Sequence, residues 1–151
     1  MNQIAALLPA DRIVLNLDVA TKTRLFEAVG ALFEHAAGLT GAAVSASLAA
    51  REKLGSTGLG QGIAIPHGRI KGLAHAIGGF ARLAHGIEFE APDGKPVTQV
   101  FVLLVPEHAT DQHLQLLSEL AQMFSERAFR DRLAGAADSA ALARVFAEWE
   151  P

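Results

Sequence analysis

The run from Thr98 to Val105 constrains the fold more than any other stretch, being of strand length and wholly apolar after Thr98 and Gln99 at its start. A short apolar run of this kind reads as a strand buried within a sheet. A second buried strand is expected over Ala76–Ala84, and Pro92-Asp93-Gly94-Lys95-Pro96 between the two is a strong turn signal.

Buried strands need helices to cover them, and the flanking sequence supplies these. Arg12–Leu17 is a first strand, with Ile13, Leu15 and Leu17 alternating with Val14 and Asn16. Thr21 is the expected N-cap of a helix that ends at Gly38 and carries Leu25, Ala28, Val29, Leu32, Phe33 and Ala36 at three- and four-residue spacing. A second helix is expected from Ala42 to about Leu54, with Val44, Leu48 and Arg51 spaced along it. Ile63–Ala64–Ile65 is a short strand. After Val105, Thr110 or Asp111 opens a helix with a stripe of Leu114, Leu117, Leu120, Ala121 and Phe124. A shorter helix around Arg127–Leu133 and a last one over Ser139–Trp149, capped by Asp138 or Ser139, follow. This order predicts an α/β fold, a three-layer α/β/α sandwich with a mixed central β-sheet, because strands and helices do not alternate regularly enough for a purely parallel one. With 151 residues and no repeat or linker, a single domain over 1–151 is expected.

Composition removes several chemistries. The chain has no cysteine, which excludes disulfide scaffolds, thiolate metal sites and thiol nucleophiles. A net charge of −3 argues against nucleic acid as a partner. No apolar run approaches bilayer-spanning length, and no basic segment precedes Ile4–Leu8, so a cytoplasmic protein without a membrane span is expected. Six histidines remain.

Gly55, Gly58, Gly60, Gly62 and Gly68 crowd one segment. It is neither a Walker loop, since Ile63 and Ala64 stand where Lys and Ser/Thr belong, nor a dinucleotide fingerprint, since helix precedes it and strand follows. Closely spaced glycines do let successive N–H groups converge on an anion. Pro66 favours an extended Ile65 and sets His67 just past a strand, beside Gly68, where an anchored and accessible imidazole suits a nucleophile. A turn followed by a surface histidine is the plainer alternative. His113 lies in the first turn of its helix, in register with Leu117, Leu120 and Phe124, where the helix dipole favours a bound anion. The plainer alternative, which the residues alone favour, is a core-edge histidine bonded to a carbonyl. Arg51 suits phosphate recognition, or else faces the helix dipole or pairs with Glu52. His35 fits a helix C-terminus, and His75, His85 and His108 read as solvated.

The run from Arg51 to Gly68, Arg-Glu-Lys-Leu-Gly-Ser-Thr-Gly-Leu-Gly-Gln-Gly-Ile-Ala-Ile-Pro-His-Gly, resembles the active-site segment of mannitol/fructose-type EIIA domains. These belong to the bacterial phosphoenolpyruvate-dependent phosphotransferase system. Leu103-Leu104-Val105-Pro106 followed by His113-Leu114 resembles the family's second motif, and the glycine-rich form is most like the nitrogen-regulatory branch. Leu59 and Gln61 stand where that branch often has Ile and Asn. The resemblance implies an EIIA type 2 fold and a phosphotransferase with a phosphohistidine intermediate and no metal or other cofactor. It implies that His67 accepts a phosphoryl group from an HPr-like phosphocarrier, and that His113 and Arg51 orient and stabilise it, with Gly58, Gly60 and Gly62 as a phosphate-binding loop. Regulatory target proteins would read the phosphorylation state; in the alternative, a separate EIIB would take the group onward for fructose or mannitol uptake. A remote alternative is a metal-dependent hydrolase using His67, His108 and His113 with Glu107 or Asp111.

Overall fold

The structure, a computed structural model, describes residues 2–109 and 111–151, with the backbone alone at Gln112. In chain order the elements are α1 (Gln3–Ala6), β1 (Ile13–Leu17), α2 (Lys22–Ala37), α3 (Gly41–Glu52), β2 (Gly58–Gly60), β3 (Ile63–Ala64), β4 (His67–Ile70), β5 (Ile77–Ile87), β6 (Val97–Pro106), α4 (Asp111–Ser125), α5 (Arg127–Gly135) and α6 (Ser139–Glu148). The strands form one mixed sheet in the order β1-β5-β6-β3-β2, with β4 also on β6. β6 runs antiparallel to β5 and parallel to β3 and β4.

The alternation of side chains along β6 builds the three layers. Phe101, Leu103 and Val105 enter a core with Ile4 of α1 and Leu116, Leu120, Phe129 and Phe146 of the C-terminal helices. Val100, Val102 and Leu104 enter the opposite core, with Leu25, Phe33, Val44 and Leu48 of α2 and α3. The expected sandwich is therefore the observed one.

Local signals behaved as their chemistry requires. The Thr21 hydroxyl accepts from the Arg24 N–H at 3.2 Å, and Gly38 closes α2 in a left-handed conformation. Asp138 caps α6, accepting from Ala141 N–H at 2.8 Å. Other expectations shift. Phe26, outside the predicted face of α2, is buried, and Leu54 lies beyond the end of α3 and is 84% exposed. On α4 the buried stripe is Leu116, Leu120, Met123 and Phe124, while Leu114 is 59% exposed and Ala121 faces solvent. The alternative start at Thr110 lies outside the described residues. β5 runs on to Ile87, so His85 belongs to a strand, its Nε2 2.9 Å from Asp18 Oδ1. Trp149 is core, buried at the end of α6 with Nε1–H donating to Glu126.

Candidate functional site

His67 owes its place to an interruption in a strand. β3 and β4 lie end to end along one edge of β6, with Ile63 opposite Gln99 and His67 opposite Leu103. Ile65 and Pro66 fill the gap, and the Pro66 carbonyl accepts from the Leu103 N–H at 3.0 Å. His67 thus lies just past the end of β3, as expected, and is also the first residue of a further strand, β4. His-Gly-Arg-Ile is too short and polar to read as a strand alone, and pairing with β6 supplies what its own pattern lacks. Gly68 is required by close approach: a Cβ there would strike the Ser47 hydroxyl on α3.

The His67 ring is half-buried, and its Nδ1 lies 2.9 Å from the Ile65 carbonyl oxygen. A carbonyl only accepts, so Nδ1 carries the hydrogen and Nε2 of the neutral ring keeps its lone pair. Burial, the largest effect, holds the His67 pKa below the ordinary 6.5; the Ile65 carbonyl works against it, Arg51 and His113 lower it further, and Glu52 offsets them in part. A neutral imidazole with one free nitrogen is the nucleophilic form.

Arg51, Arg69 and His113 line the same cavity of about 350 Å³ as His67, together with Ser47 and Leu54, and among the described residues no carboxylate lines it. Arg51 comes from the last turn of α3, where its Nη1 donates to the Gly55 carbonyl at 2.9 Å. Among the described residues Arg51 forms no ion pair. The Glu52 carboxylate instead accepts from the Thr57 N–H and hydroxyl and from Lys22 Nζ. His113 stands half-buried in the first turn of α4 and also borders a cavity of about 320 Å³ lined by His75 and His108. Those two histidines are exposed, as expected, and flank the site. His108 does not line the His67 cavity, and among the described residues no three His, Asp or Glu side chains gather as a metal-ligating group.

The glycines divide. Gly58 lines a smaller adjoining cavity of about 220 Å³ with Arg51, Thr57, Leu59 and His67, but its N–H already donates to Ser56 Oγ at 3.1 Å. Gly60 and Gly62 line neither cavity that holds His67. With φ of +89° and +81° they form the reversal between β2 and β3, where the Gln61 N–H donates to Asp93 and the Gly62 carbonyl accepts from Thr98 and Gln99. Their conformational freedom serves a hairpin instead of an anion cradle. Sequence reasoning missed Glu52 and Arg69. Arg69 lies two residues beyond His67 on the same face of β4, but that alternation is visible only once pairing with β6 makes the segment a strand. Glu52 gave no signal, since its partners Thr57 and Lys22 lie in a loop and on another helix.

No helix among the described residues is long and apolar enough to cross a membrane. The family described as phosphoenolpyruvate-dependent sugar phosphotransferase system, EIIA 2, matches residues 6–149. A nitrogen regulatory protein of Pseudomonas aeruginosa is 39% identical over 146 residues, covering 96% of this chain and 95% of that protein. Among solved structures, the nitrogen regulatory protein IIA-Ntr from Neisseria meningitidis superposes with a TM-score of 0.89 and 48% identity, covering 95% of this chain and 99% of its own. The IIA component in the complex of mannitol IIA and phosphorylated IIB from Escherichia coli has a TM-score of 0.76 at 20% identity, over 93% of this chain and 97% of that one, a likeness of fold alone.

Proposed function

Because the chain belongs to the phosphotransferase-system EIIA type 2 family, we propose that His67 accepts a phosphoryl group and that the chain is an EIIA of the nitrogen-regulatory kind. The observation that carries the reading is the setting of His67: Nδ1–H held by the Ile65 carbonyl, Nε2 unprotonated, and Arg51 and His113 in the same cavity, which among the described residues no carboxylate lines.

The donor is the phosphohistidine of an HPr-like phosphocarrier. Nε2 of His67 attacks its phosphorus in line, the new N–P bond forms as the donor's N–P bond breaks, and the donor ring, already protonated on its other nitrogen, leaves as neutral imidazole while Nδ1–H stays on the His67 ring. The transition state is loose, so the protein's work is to position the groups and to stabilise charge on the three equatorial oxygens. With the Gly58 N–H engaged by Ser56 and Gly60 and Gly62 outside the cavities that hold His67, that work falls to the guanidinium of Arg51 and the imidazole of His113. Donor and acceptor are both ring nitrogens of similar character, so the step calls for no metal.

The product places about two negative charges on the ring. Leu54, 84% exposed, lines the His67 cavity; Leu59, 43% exposed, lines the adjoining one; and Leu114, 59% exposed, follows His113. A dianion amid these apolar side chains disfavours any partner that buries them, which gives regulatory target proteins in the cytoplasm a signal to read. A separate EIIB would be the next acceptor if the chain served sugar uptake instead.

The test is labelling from radioactive phosphoenolpyruvate through purified phosphocarriers of each branch. His67→Ala should abolish labelling and His113→Ala should slow it. Rapid, stoichiometric labelling of His67→Ala overturns the assignment, and preference for the sugar-branch donor moves the chain to the transport branch.

A further inference from the structure

Three elements meet at Arg69. It is the third residue of β4, on the same face of that strand as His67. Its own carbonyl accepts from the Ser47 hydroxyl at 2.9 Å, and Ser47 lies one turn before Arg51 on α3. Its guanidinium Nη1 donates to the carbonyls of Glu107 at 2.9 Å and Ala109 at 2.6 Å, in the connection from β6 to α4. That connection leads to the first turn of α4, where His113 stands. Apart from the Ala109 N–H bond to Pro106 at 3.0 Å, these are the hydrogen bonds that fix it among the described residues.

A charged donor to two carbonyls makes bonds roughly twice as strong as neutral ones. Arg69 lines the His67 cavity and forms no ion pair among the described residues. The same side chain therefore ties the strand of the nucleophile to the segment that leads into the first turn of α4, where His113 stands.

From this junction we infer that Arg69 is a positioning residue for phosphoryl transfer, acting through the 107–109 connection on His113. The inference rests on the reading of His67 as the acceptor. Removing the guanidinium frees the start of α4 and lets His113 drift from the place where it meets the transferred group. A displacement of about 1 Å in such a group costs up to a hundredfold in rate.

The experiment uses the full chain with Arg69→Ala and Arg69→Lys, alone and combined with His113→Ala. Arg69→Ala should slow labelling of His67 about tenfold, and Arg69→Lys, which keeps one donor to the carbonyls, should recover part of the rate. In the His113→Ala background the further loss should be under about twofold, because the residue acted upon is gone. The ring resonances of His113 in NMR spectra of the unphosphorylated protein should move in Arg69→Ala and return toward wild type in Arg69→Lys, a readout that donor docking or general stability would not shift. The NMR measurement needs no phosphoryl donor, so it separates failure of this inference from failure of the His67 assignment. If Arg69→Ala does not fold, Arg69→Met, which keeps the aliphatic stem but has no donor, takes its place, and its His113 resonances should move in the same way. Unmoved His113 resonances, or a full tenfold loss persisting in the His113→Ala background, would overturn the inference.

Discussion

Replacing Glu52 by alanine should destabilise the fold more than any other single change at an acidic position near the site. The carboxylate side chain is 7% exposed and accepts from the Thr57 N–H at 3.0 and 3.1 Å, from the Thr57 hydroxyl at 2.8 Å and from Lys22 Nζ at 3.3 Å. Thr57 is itself buried, so its two donors lose their acceptor where water does not easily replace it. Hydrogen bonds to a charged group contribute about 1.5–3 kcal/mol each, and an orphaned buried donor costs about 1–3 kcal/mol. The Lys22 bond adds little, since Lys22 keeps Glu90 at 3.2 Å and lies against the Phe89 ring. The bonds share one carboxylate and are not additive, so the net loss is about 3 kcal/mol. In a domain of this size that lowers Tm by roughly 6–12 °C. Thermal melts followed by circular dichroism measure it, and Thr57→Val completes a double-mutant cycle. The coupling energy should be about 1 kcal/mol or more, because both variants remove the hydroxyl–carboxylate bond. A Glu52→Ala protein that melts within about 2 °C of wild type, or a cycle with strictly additive effects, would refute the reasoning.

Three further outcomes are expected. Because burial first, and then Arg51 and His113, hold His67 below 6.5, the unfolded chain binds the extra proton before the folded one does; this contribution to stability is intact above pH 6.5 and is lost as pH falls below it toward the folded pKa. The His67 ring should accordingly titrate below 6.5 by NMR and labelling should hold steady through that pH, and a midpoint at or above 6.5 contradicts the burial argument. Gly68→Ala should cost about 1–3 kcal/mol by chemical denaturation, since its methyl meets Ser47, and should cost less in a Ser47→Ala background; equal costs in both would deny that this contact is the cause. Arg51→Lys, which exchanges the planar fork for a point charge, should slow labelling of His67 by about tenfold without changing Tm, and an unchanged rate removes Arg51 from the phosphoryl site.

What the sequence made legible was what local chemistry decides. Thr21 and Gly38 bound α2 because a hydroxyl cap and a left-handed glycine act within one turn. The apolar run at Thr98–Val105 announced a strand covered on both faces, and the sandwich followed. Features set by distant partners were harder to see. β4 exists because β6 lies beside it. The α4 stripe is rotated toward Leu116 and Met123 because the sheet and α1 define which side of that helix is inside. Glycine spacing at 58–62 suggested an anion cradle, yet the N–H groups of Gly58 and Gln61 have partners in Ser56 and Asp93, and Asp93 is 32 residues away. His67, Arg51 and His113 were all named from sequence, and the structure sets them around one cavity; Glu52 and Arg69 emerge only with their partners.

The bond from the His67 ring to the Ile65 carbonyl spans two residues of one chain segment. Arg51 and His113 come from helices on opposite sides of the sheet. Chemical competence is thus stored locally, while recognition is distributed over elements that can move or diverge separately. A rigid-body shift of α3 or α4 changes the charges around the ring but leaves in place the hydrogen bond that directs the free nitrogen of His67 outward. Within such an architecture, partner choice can drift without the nucleophile having to be rebuilt.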